Sequence, residues 1–152
     1  MNKQTILNRI KKHFPQVKDV VDAAKPVFIE VLPEDGRTGR KKDPEGCAFA
    51  RACLRKHLAD GCIIGIAYSY LIKGSVATRY MTPGTVGREI TSFDRHQDFA
   101  EGQNYRLSAV TPSARLEVKR KRRRGVENGS KADIDIDSRR RHHTSRIRVS
   151  GV

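Results

Sequence analysis

At 152 residues the chain has room for one modest domain plus appendages. A composition 37% hydrophobic and 32% charged supports a folded core with a large polar remainder, which excludes a fully disordered chain. The formal charge of +14 is uneven: residues 1–25 carry six Lys/Arg against two acids, residues 26–116 thirteen against ten, and residues 117–152 twelve against five. The middle is only mildly basic, whereas the C-terminal stretch attracts polyanions: nucleic acid, anionic lipid or the acidic face of another protein.

Cys47, Cys53 and Cys62 form no C-x-x-C pair and leave one over if two oxidise, which argues for a reduced, intracellular history rather than a disulfide framework. The opening MNKQTILNRIKKHF lacks the continuous apolar core of a signal peptide, and no run approaches the length that spans a bilayer. A soluble chain that does not enter a membrane is the expectation.

Residues 3–14 place Ile6, Leu7, Ile10 and Phe14 on one side of a helix, with Lys3, Arg9, Lys11 and Lys12 elsewhere, and Pro15 stops it. Such a helix either packs on the domain or docks on a partner or membrane surface. Residues 27–32, VFIEVL between Pro26 and Pro33, read as a strand, and residues 34–42 as a polar, basic loop. Asp43, Pro44 and Glu45 form a helix start, because Asp caps backbone N–H groups and Pro fits the first position. That helix is expected to run to about Ala59, burying Cys47, Ala50, Leu54, His57 and Leu58, with Arg51, Arg55 and Lys56 off the stripe.

Residues 62–81 then read as two strands joined at Lys73, Gly74 and Ser75. Alternation in the first puts Ile64, Ile66, Tyr68, Tyr70 and Ile72 on one face, which needs a cover; Val76, Thr78 and Tyr80 alternate on the return strand. Thr82 and Pro83 open a second helix carrying Val86, Ile90 and Phe93 to an exit at Asp94–His96, and residues 105–110 make a last strand. The order strand, helix, strand, strand, helix, strand predicts a compact ferredoxin-like (βαββαβ) α+β sandwich. The expected division is an amphipathic basic helix region at 1–25, the α+β domain at 26–116 and a basic arm at 117–152.

The arm opens on Lys119, Arg120, Lys121, Arg122, Arg123 and Arg124, a charge run followed by Gly, Asn and Ser. Beyond it Asp133, Ile134, Asp135, Ile136 and Asp137 alternate acid with Ile, and Arg146, Ile147, Arg148 and Val149 alternate base with aliphatic. Paired as strands, these would set Asp against Arg on one side and join the aliphatics on the other, with Arg139, Arg140 and Arg141 in the connection. A lone two-stranded hairpin is marginal in water, so order is expected only against a partner; a flexible solubilising tail is the other reading.

Few residues suggest catalysis. Cys53 and His57 share a helix face but have no further ligand nearby, so neither a metal site nor a cofactor is expected there. Asp94, His96 and Asp98 suit a metal or general-base site, against the plainer reading of a polar helix exit. His142 and His143 extend the basic surface. The RNA-recognition-motif pattern of Lys/Arg, Gly and alternating aromatics is met only by Lys73, Gly74 and Tyr80, since Ser75 and Ala77 stand at its stacking positions. Any nucleic-acid contact is therefore assigned to the arm.

The runs CAFARACLRK, YSYLIKG, TRYMTPGTVGREITSFDRHQDF and NYRLS, across about residues 46–108, resemble small proteins of tailed bacteriophages, many of unassigned function. Cys47, Ala50, Pro83, Ile90, Phe93 and Leu107 carry the likeness, and none transfers a catalytic role. The resemblance implies synthesis in a bacterial host cytoplasm and incorporation into a virion. The expected function is a non-enzymatic structural protein, capsid-associated in the manner of a cement or decoration protein. Its arm would bind an acidic surface on capsid subunits or on copies of itself. The alternative is a nucleic-acid-binding protein that grips phosphates without reading sequence, and an enzyme stands third.

Overall fold

The computed structural model describes residues 2–56 and 59–116; His57, Leu58 and every arm residue named above lie outside the described residues. Helix α1 (Lys3–Lys11) starts at Asn2, whose side chain accepts from the Gln4 N–H, and it buries Ile6, Leu7 and Ile10, the face its spacing predicts. Strand β1 (Asp19–Asp22) follows, then β2 (Val27–Glu30), helix α2 (Pro33–Thr38) and helix α3 (Ala48–Arg55). Strands β3 (Gly61–Ile64), β4 (Tyr68–Lys73) and β5 (Val76–Met81) precede helix α4 (Gly84–His96), strand β6 (Asn104–Leu107) and a 3-10 turn at Pro112–Ala114.

The architecture is α+β, but the wiring departs from the expected sandwich. Four strands form one mixed sheet in the order β1-β5-β4-β3, with β1 parallel to β5 and the rest antiparallel. Strands β2 and β6 pair with each other in a separate two-stranded sheet, and Met81 bridges to Ser108 from the larger one. In βαββαβ wiring the strand at 27–30 would lie beside β5; β1, which the sequence reading did not expect, occupies that place. The physical reason is register: Asp22 stands opposite Arg79, and Val20 opposite Ala77, so β1 supplies both the acid and the apolar side chain that β5 needs.

Cross-strand partners share a face, so the register sorts the sheet's side chains. One face carries Cys62, Ile64, Leu71 and Tyr80 against the main core, which includes Phe49, Val86, Phe93 and Leu107. Phe49, Phe93, Phe99 and Tyr105 pack there with ring centroids 5.3 to 6.4 Å apart. The opposite face carries the row Ile63, Tyr70, Arg79 and Asp22, beside the row Ile72, Ala77 and Val20. Helix α1 lays Ile6, Leu7 and Ile10 over the second row, building a smaller core with Val17.

Three local expectations are corrected. The segment at 34–42 is not all loop: Pro33 opens α2, and the Asp35 carboxylate accepts the Leu32 N–H at 2.9 Å. Asp43 starts no long helix; it turns the chain, accepting from Glu45, Gly46 and Cys47, and α3 begins at Ala48 with Ala48, Phe49, Ala50, Ala52 and Cys53 buried. The run from 62 to 72 is not one strand, because Gly65–Ala67 break it into β3 and β4. The Gly65 carbonyl there accepts from the Thr82 and Ser69 hydroxyls, and an added Cβ on Gly65 would lie 2.6 Å from the Tyr68 carbonyl oxygen. Ile64 consequently faces the main core while Ile66 is 64% exposed, so the five-residue stripe splits and only Tyr68, Tyr70 and Ile72 share a face. The turn at Gly74, with φ +61°, and the α4 stripe of Val86, Ile90 and Phe93 lie where expected.

Candidate functional site

The chemistry of the fold gathers where β1, β5 and the segment at 110–116 meet. Arg79 is 4% exposed in the middle of a sheet face, a position that an unpaired charge cannot hold. Its Nε donates to Asp22 Oδ1 at 2.7 Å, its NH2 group donates to the Ala114 carbonyl at 2.6 Å, and its guanidinium carbon lies 4.6 Å from the Tyr68 ring centre. The other Asp22 oxygen accepts the Leu116 N–H at 2.8 Å. Leu116 packs against the smaller core, and the Val110 N–H donates to the Ala23 carbonyl at 3.1 Å. One buried ion pair therefore fixes residues 114–116 to the sheet.

Beside this pair a cleft of about 370 Å³ opens between α1 and the sheet. Ile6, Arg9, Ile10 and His13 line it from the helix side; Ile63, Ala67, Tyr68, Tyr70 and Arg79 line it from the sheet side. The cover that the sheet face demands is thus only partial. Burial raises the Tyr70 pKa against an opposing pull from Arg79 and Arg9, so its hydroxyl keeps its proton at neutral pH. His13 Nδ1 meets the Glu45 carboxylate, tying the exit of α1 to the turn before α3. Lys3 Nζ meets Asp19 at 2.8 Å, and that hydrogen bond lowers the Asp19 pKa.

A second buried acid, Asp35, is held by Arg55 through a 3.0 Å contact, and Arg55 also donates to the Glu30 carbonyl at 2.8 Å. Arg55 was expected off the buried stripe; it is instead half-buried as a clamp between α3, α2 and β2.

The three cysteines are free and buried. Burial raises all three thiols, Cys62 to about 12, which keeps them protonated and poorly nucleophilic at neutral pH. Tyr105 is likewise pushed up to about 12 by burial. For each group the folded pKa lies above its unfolded value, so the linked stability is fully present below the unfolded pKa and is lost as pH rises toward the folded one. Unfolding free energy is therefore expected to fall between pH 9 and about 12, with a slope of up to ~1.4 kcal/mol per pH unit for each group. Urea titrations at stepped pH check this, and a flat profile through that window would contradict it.

Asp94 accepts the Lys42 backbone N–H at 2.8 Å, while His96 and Asp98 are exposed around the left-handed Gln97 that ends α4. Among the described residues no group of three or more His, Cys, Asp or Glu is arranged to hold a metal ion. Among them too, no helix is long and apolar enough to cross a membrane. Of the sequence-predicted arm residues none falls within the described residues; what the structure adds is the anchorage of residues 114–116, just before them. Arg79 was missed, although a signal existed: it sits between Ala77 and Met81 at an inward position of an alternating strand, where a charge needs a partner. The chain matches no protein-family model, no curated protein and no solved structure.

Proposed function

We propose that the chain is a non-enzymatic structural protein of a tailed-phage particle, a compact α+β domain that carries a basic arm onto an acidic neighbour. The neighbour is a capsid subunit, and the role is that of a cement or decoration protein. The observation that carries this reading is the arm's root: Arg79 and Asp22 together hold Ala114 and Leu116 on the sheet immediately before the arm begins. A solubilising tail needs no such anchorage, whereas an arm that transmits load between subunits does. The aliphatic alternation at Ile134, Ile136, Ile147 and Val149 supports the same partner class, because phosphate neutralisation has no use for paired aliphatics.

Removing residues 117–152 is expected to leave the domain folded, with its thermal midpoint shifted by no more than a few degrees, while particle occupancy falls to background. Quantitative mass spectrometry of purified particles reads the second outcome, and normal occupancy of the truncated chain would sink the proposal.

A second reading has the arm grip nucleic acid, favoured by its twelve Lys/Arg against five acids. It predicts affinity falling steeply and linearly on a log–log salt plot, and binding indifferent to salt would remove it.

A further inference from the structure

Strands β2 and β6 pair into a ribbon whose two faces differ. Its inward residues Ile29, Tyr105 and Leu107 are buried in the main core, and Val27 packs against it. Alternation sends Phe28, Glu30, Asn104 and Arg106 to the other face. Phe28 is 58% exposed there, and Arg106, also exposed, stands directly opposite it. Cross-strand partners have Cβ atoms roughly 4.5–5.5 Å apart, so the ring and the guanidinium reach one patch of a partner. Among the described residues the Arg106 side chain makes no hydrogen bond, ion pair or ring contact, whereas Glu30 on the same face is met by Lys56 at 3.6 Å. A two-stranded ribbon is marginal alone, but this one is held from behind: Arg55 donates to the Glu30 carbonyl at 2.8 Å and the Gly102 N–H to the Val31 carbonyl at 2.9 Å. Its outer face is therefore fixed before a partner arrives.

Each feature narrows the partner. A wholly apolar surface would desolvate Arg106 without answering its charge. A second copy of a chain with a formal charge of +14, docked through the same face by a two-fold axis, would bring cation toward cation. Single-strand platforms combine successive aromatic rings with a cationic track; this face has one ring, and Glu30 on it repels a phosphate backbone. A protein surface with an apolar hollow and a carboxylate at its rim answers both residues, the hollow taking the Phe28 ring and the carboxylate taking the two-pronged guanidinium.

We propose that the outer face of the β2–β6 ribbon is the folded domain's own docking surface for the acidic protein neighbour, with Phe28 as its apolar anchor and Arg106 as its ion-pairing residue. This rests on the reading of the chain as a particle protein with an acidic neighbour, and it adds to the arm a second contact that belongs to the domain. Phe and Arg are both enriched where protein interfaces concentrate their binding energy. The charge on Arg106 fixes which way the domain meets the partner, and the ring supplies most of the desolvated area.

The test titrates the full chain onto purified particles of the proposed tailed phage assembled without it, and reads bound chain by quantitative mass spectrometry of the sedimented particles. Phe28→Ala and Arg106→Gln are each expected to weaken binding by about ten-fold, and Arg106→Lys, which keeps the charge, by less than Arg106→Gln. Both side chains are exposed, so the variants stay folded, which thermal melts check. Lys41→Gln removes an exposed cation outside the ribbon and is expected to change binding less than two-fold. An unsubstituted chain that does not bind the particles would remove the particle reading and this surface with it. Tight binding by the unsubstituted chain that Phe28→Ala and Arg106→Gln leave unchanged would overturn the ribbon surface alone. Labelled octathymidylate, followed by anisotropy, serves as a second probe: binding to it that Phe28→Ala weakens, where particle binding is unaffected, would overturn the proposal in favour of a single-stranded nucleic acid.

Discussion

Arg79→Ala is expected to destabilise the domain by roughly 3–5 kcal/mol, the usual cost of breaking a buried ion pair from one side. The substitution strands Asp22, whose side chain is 13% exposed, beside an emptied volume, and it takes a donor from the Ala114 carbonyl. It also removes the cation that lies on Tyr68. A domain of this size has only about 5–15 kcal/mol of stability in total, so the variant should be near unfolding at 37 °C. Replacing both partners, Asp22→Leu with Arg79→Met, should cost far less, because no charge is then left buried. Urea melts of the single and double variants separate these outcomes. A loss below about 1 kcal/mol for Arg79→Ala would show that the pair does not hold the sheet together.

Phe93→Ala should cost a similar amount, about 3–5 kcal/mol, for a different reason. Phe93 is fully buried on α4 and packs edge-on against Phe99, which in turn contacts Phe49 and Tyr105. Removing its ring leaves a cavity that three other rings, the Tyr105 hydroxyl bonded to the Ala100 carbonyl among them, are poorly placed to collapse into. Phe28→Ala is the control: that side chain is 58% exposed, and its loss should change stability by no more than about 0.5 kcal/mol. Equal effects at the two positions in chemical denaturation would contradict the assignment of the main core.

The residues that sequence reasoning handled well were those whose role is set by periodicity. Ile6, Leu7 and Ile10 on α1, and Val86, Ile90 and Phe93 on α4, recur at helical spacing and are buried where that spacing puts them. Gly74 marks its hairpin because a positive φ there favours glycine. What was not legible depended on partners distant in the chain. Asp19–Asp22 has only four residues and one acid at each end, a poor strand by local pattern; it becomes one because Asp22 meets Arg79, 57 positions away. The same long-range pairing decided the sheet wiring, so the α+β class was readable and the ferredoxin-like strand order was not the one formed. At Gly65–Ala67 the alternation of large and small side chains ran through a turn that is held by Thr82, another remote residue. The cleft was half-legible: the tyrosine face was seen to need a cover, and only the placement of α1 leaves part of it open.

Asp22 and Arg79 hold Ala114 and Leu116 on the sheet, and the proposal is that the basic residues following this anchored segment bind an acidic neighbour. The most direct test of that proposal is the copy number of the chain in purified particles of the proposed tailed phage, after washing at high salt and nuclease treatment. Retention at a fixed number compatible with capsid symmetry is the expected result. Complete loss under that wash would contradict it and leave the arm to an intracellular partner.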